Sequence, residues 1–101
     1  MTRPLVCKLT TPELHERKKT VLKQMKEAML EQEEVSDGIK LKFNGSDQIL
    51  DLLTSFIKTE RLCCDFFTLG LIVEDAETGF AWLTLTGPEG TRQFIKNELG
   101  F

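Results

Sequence analysis

Glu60, Cys63 and Cys64 stand at i, i+3 and i+4 in the run Glu60-Arg61-Leu62-Cys63-Cys64-Asp65-Phe66-Phe67. On a helix these positions stack on neighbouring turns of one face, so a carboxylate and two thiols would share one surface. One chemical use of such a set is nucleophilic. It needs a thiolate stabilised by a helix N-terminus or a neighbouring cation. Here the pair closes an apolar helical stripe, at the negative end of the dipole, with Glu60 and Asp65 close in sequence. That field disfavours an uncoordinated thiolate, and Lys58 and Arg61 fall off the stripe. The other use is cation binding, which the same field favours. Cys7 adds a third sulfur if its strand passes the end of this helix. Three thiolates suit a thiophilic ion, and Glu60 or His15 would complete a tetrahedral zinc site. The candidate metal ligands are therefore Cys7, Cys63, Cys64 and Glu60, and zinc or another thiophilic metal ion is the cofactor they imply. His15, near the start of the first predicted helix, reads first as a surface residue.

Two points weigh against this set. There is no C-x-x-C knuckle, and adjacent helical side chains diverge by roughly 100°. Cys63 and Cys64 meet at one ion only if the helix unwinds there. A bond between the two is strained, because neighbouring Cα atoms lie about 3.8 Å apart against the usual disulfide range of about 4.4–6.8 Å. The competing reading makes the cysteines small core residues, since reduced cysteine is commonly buried. A lone buried acid is costly, so the simpler expectation for Glu60 is a half-exposed place at the domain edge.

The elements that must position these groups follow from pattern. Residues 5–9 alternate as a short strand with Leu5, Cys7 and Leu9 on one face. Thr10-Thr11-Pro12-Glu13 is a helix start, and Leu14, Val21, Leu22, Met25, Ala28 and Met29 carry a helix over about 12–30. The Arg17-Lys18-Lys19 run, with Lys23 and Lys26, reads as a solvated helix face. Asp37-Gly38 is a favoured two-residue hairpin turn. It follows an acidic strand suited to a sheet edge and precedes Ile39, Leu41 and Phe43. Ser46 caps a second helix with Ile49, Leu52, Leu53, Phe56 and Ile57 as its stripe. Strands over 66–74 and 80–86 follow, then a final helix opened by Gly87-Pro88-Glu89 and stopped by Gly100. The fold class is α+β, a mainly antiparallel sheet with three helices in the order β-α-β-β-α-β-β-α.

A chain of 101 residues with 41% hydrophobic and 29% charged residues reads as a single domain over 1–101 with a core of its own. The net charge of −3 argues against a nonspecific nucleic-acid or anionic-membrane binder. No secretory or membrane-spanning pattern is present, so the expectation is a cytoplasmic protein with reduced thiols. Three cysteines are an odd number for a disulfide framework. No catalytic carboxylate pair or Ser/His/Asp set is defensible, and a non-enzymatic role is expected. With Ala81, Leu83 and Leu85 facing the helices, Phe66, Ile72, Phe80 and Trp82 would form an apolar outer sheet face. That face predicts a homodimer or a docked partner.

Cys7-Lys8-Leu9-Thr10, the Asp37-Gly38 hairpin, the Glu60–Phe67 run and Leu83-Thr84-Leu85-Thr86-Gly87-Pro88-Glu89-Gly90 together resemble a family of small bacterial proteins with a Glu-x-x-Cys-Cys-x-Phe motif. Similar segments follow the helix-turn-helix of some mercury-responsive (MerR-like) regulators. Cys7 and the cysteine pair match the family's thiol positions. Asp65 stands where that pattern often has proline. The resemblance implies a link to heavy metals by association, and no DNA-binding module is present here. Two readings stand side by side: a thiol-based soft-metal-binding or sensing domain, and an interaction domain whose cysteines only pack.

Overall fold

The computed structural model describes residues 12–64, 66–75 and 79–101, with Leu14 and Cys63 described for the backbone only. The predicted strand over residues 5–9, and Cys7 with it, lies outside the described residues. Helix α1 spans Pro12–Ala28. Strands β1 (Glu31–Val35) and β2 (Gly38–Asn44) form a hairpin. Helix α2 spans Asp47–Cys63, strands β3 (Thr68–Val73) and β4 (Phe80–Thr86) form a second antiparallel pair, and a short helix α3, Thr91–Phe94, continues as a π-helical turn over Ile95–Leu99. The class is α+β. The described strands make one antiparallel sheet in the order β1-β2-β4-β3.

Strand alternation gives the sheet its two faces. Ile39, Leu41 and Phe43 of β2 and Ala81, Leu83 and Leu85 of β4 are buried on the helix side. Val21, Leu22 and Met25 from α1, Leu53 and Phe56 from α2, and Ile95 and Leu99 from the C-terminal turns complete this core. The helices therefore cover one face.

Local chemistry accounts for most element ends. Ser46 caps α2 by accepting from the Ile49 amide at 3.3 Å, as its residue type predicts. Gly100 stops the C-terminal turn with φ 77°. The first hairpin differs from expectation by one residue. Its connection is Ser36-Asp37, with Asp37 at φ 52°, and Gly38 is the first residue of β2. A β-carbon on Gly38 would collide with the Leu85 carbonyl oxygen of β4, so glycine is required by close strand approach rather than by the turn. The acidic strand β1 is an edge, as anticipated, and Glu34 ties it to the C-terminal helix through Lys96 at 2.6 Å and Arg92 at 3.2 Å.

The outer face differs from the expected apolar one in two ways. Phe66 does not belong to it. The residue precedes β3, is only 3% exposed, and packs edge-on against Phe94 with ring centroids 5.0 Å apart. Ile72, Phe80 and Trp82 do lie on the outer side, but β2 sends its lysines there too. Lys40 sits 4.6 Å from the centre of the Trp82 ring and Lys42 4.0 Å from that of Phe80. The result is an aromatic surface partly screened by ammonium groups. Ile72 remains 60% exposed.

Candidate functional site

The apolar stripe of α2 runs inward through Leu53 and Phe56 and ends on Glu60, whose side chain is wholly buried. The expectation of a half-exposed Glu60 is thus corrected: the stripe does not drift outward, and the acid occupies a core position. Cys64 follows one turn later and is also 0% exposed. Its amide still bonds to the Glu60 carbonyl at 2.7 Å, but its backbone leaves the helix at φ −120°, ψ 78°. The helix therefore unwinds at the second cysteine. Beyond it, the Phe67 amide donates back to the Cys64 carbonyl at 3.2 Å.

This turn is held from outside. Cys64 and Phe66 form a small cluster of their own, joined by Phe67 and Phe94. The Gly87-Pro88-Glu89-Gly90 loop packs onto it. A β-carbon on Gly87 would stand 2.6 Å from Thr91 Oγ1 and 3.0 Å from the Phe66 carbonyl oxygen, so a larger residue requires Thr91 or the Phe66 carbonyl to shift. Buried Thr91 donates back to the Pro88 carbonyl at 2.6 Å and fixes the loop. Two conspicuous stretches of the sequence, Glu60–Phe67 and Leu83–Gly90, thus meet at one place.

The electrostatics centre on Glu60. The Lys18 ammonium of α1 lies 3.4 Å from Oε1, and the lysine side chain is 12% exposed. Neither carboxylate oxygen accepts a well-formed hydrogen bond among the described residues. Burial pushes the Glu60 carboxyl above its usual range, more than the Lys18 charge and the nearby Cys64 thiol pull it down. A carboxylate in this condition favours a better partner than it has, either a proton or a cation held closer.

Lys18 also has an outward side. It lines a hollow of about 220 Å³ with His15, Lys19, Leu22 and Glu98. Its side chain stands between that hollow and the buried carboxylate. A larger groove of about 450 Å³, between α1 and the C-terminal turns, is lined by Lys19, Lys23 and Lys26 and is not lined by Glu60 or Cys64.

Of the four predicted ligands, the structure brings Glu60 and Cys64 together. Cys63 is the last residue of α2, described for its backbone alone, and Cys7 lies outside the described residues, as does Asp65. Among the described residues no group of three or more His, Cys, Asp or Glu converges as a metal site. Lys18 was hidden in a basic run that reads as a solvated face. The legible signal is its spacing: it precedes Val21, Leu22 and Met25 by three, four and seven residues, which puts it on the inward stripe of α1. No described helix is long and apolar enough to cross a membrane. Comparison with known family models, curated proteins and solved structures returns no match.

Proposed function

We propose that this chain is a thiol-based soft-metal-binding or sensing domain, with its cation site founded on Glu60 and Cys64 and completed by Cys63 and Cys7. The observation that supports the reading is a wholly buried carboxylate, lacking well-formed hydrogen bonds among the described residues, beside a wholly buried thiol. A thiophilic cation meets both needs at once: it satisfies the carboxylate oxygens and stabilises thiolates where the helix end would otherwise disfavour them. The backbone leaves the helix at Cys64, and a departure from regular helix at this point is what two adjacent cysteines need to meet at one ion. Zinc is the ordinary candidate, since carboxylate and thiolate are both among its ligands. The test is titration of reactive thiols with Ellman's reagent, with and without zinc, in the wild type and in Cys7→Ser, Cys63→Ser and Cys64→Ser. Zinc should protect the wild-type thiols, and each substitution should weaken that protection. Thiols that react at the same rate with and without zinc contradict the reading.

A second reading has its own observation. Ile72, 60% exposed beside Trp82 on the outer sheet face, favours an interaction domain. Its occupant would be a second copy of this chain. The face carries both signs of charge, Lys40 and Lys42 on β2 opposite Glu33 and Glu31 on β1, and a twofold axis can set lysines of one copy against acids of the other.

A further inference from the structure

We infer that Lys18 is a built-in competitor at the proposed cation site, so that its ammonium and a bound soft metal ion exclude one another at Glu60. The inference rests on the soft-metal reading above and adds to it how the site reports to the rest of the fold.

Lys18 Nζ is 3.4 Å from Glu60 Oε1, and the carboxylate is wholly buried. An ammonium held at that distance neutralises much of the charge that attracts a cation. A divalent ion on the same oxygens would stand within a few ångströms of it, where like charges at low effective dielectric repel strongly. Lysine also carries its charge on a flexible stem. Lys18 has somewhere to go, because it already lines the hollow with His15, Lys19, Leu22 and Glu98, and Glu98 offers an alternative carboxylate there. Leaving Glu60 would remove the ion pair that joins the middle of α1 to the end of α2. Occupation of the site would then be communicated to α1, the kind of two-state contact that a sensor requires.

The experiment pairs Lys18→Met, which keeps the stem and deletes the charge, with the wild type in zinc titrations against a chromophoric chelator. A second readout is amine labelling of Lys18 by mass spectrometry, with Lys19 as the internal reference. Removing the competing charge should tighten zinc binding on the order of tenfold or more. In the wild type, zinc should speed labelling of Lys18 relative to Lys19. Lys18→Gln, which retains a donor for the carboxylate, serves if the Met variant does not fold. Wild-type protein that binds zinc while the Lys18 variants bind it equally or more weakly overturns the competitor role and leaves the metal site standing. Zinc-loaded wild type with unchanged Lys18 labelling overturns it as well. Absence of binding in the wild type and all variants overturns the soft-metal reading and this inference with it.

Discussion

The ionisation of buried Glu60 has a consequence for the metal-free protein. Because burial raises its carboxyl above the ordinary 4.5, the folded chain holds that proton more tightly than the unfolded chain does. The linkage sign follows: this group's contribution to stability is greatest below the unfolded value and declines as pH rises from there through the folded value. Glu34 acts in a different window. Lys96 and Arg92 hold its carboxyl below 4.5, so its contribution is present above that value and is lost as pH falls beneath it. Urea midpoints measured at several pH values above 4.5 should therefore decline with rising pH in the wild type, and the decline should be shallower in Glu60→Gln. Equal slopes in the two proteins would show that Glu60 ionises in the folded state as it does in water. That Glu60 lies on the inward face was legible, since the apolar stripe of α2 pointed at it. That it is wholly buried was not, because burial depends on Lys18 and other groups brought by elements distant in the chain.

At the scale of elements, the turn after α2 and the loop before α3 act as one clamp. Gly87 lets the loop approach the Phe66 carbonyl, and Phe66 in turn packs on Phe94. Gly87→Ala forces a methyl group into that contact and should cost about 1–3 kcal/mol, the usual range for overpacking. Cys64 packs in the same small cluster as Phe66, so the same variant should also raise the reactivity of that thiol in the native state. Chemical denaturation and native-state thiol labelling read the two effects, and wild-type values in both would rule the clamp out. Helix caps and strand alternation made Ser46, Gly100 and the inward residues of β2 and β4 readable, because these depend on neighbours in sequence. The position of Phe66 escaped because alternation extends a strand as far as apolar residues continue. Its burial comes from Phe94 and the glycine loop, which periodicity does not register. The Ser36-Asp37 connection escaped for a related reason: Gly38 serves β4, not the turn.

For the whole molecule, one sheet face is covered by helices and the other carries Phe80 and Trp82 under a partial lysine screen, with Ile72 exposed beside them. The two edges of the described sheet differ as well. β1 presents Glu31, Glu33 and Glu34, charges that oppose edge pairing, whereas β3 has no charged residue in Thr68–Val73. If the outer face seats a second copy, sedimentation velocity should give a dimer that dissociates in Ile72→Lys, with the fold retained by circular dichroism. A monomer at high micromolar concentration would remove the second reading and leave the first untouched. Sequence pattern identified this face but not its screening, which required the register that sets Lys42 opposite Trp82.

On the proposed reading, sulfur and the Glu60 carboxylate hold one cation. X-ray absorption at the zinc edge of the zinc-loaded protein tests it most directly. The expected shell mixes sulfur at about 2.3 Å with lighter atoms near 2.0–2.2 Å, with the sulfur contribution reduced in Cys64→Ser. A shell of nitrogen and oxygen alone, or zinc that does not stay with the protein through gel filtration, would contradict it.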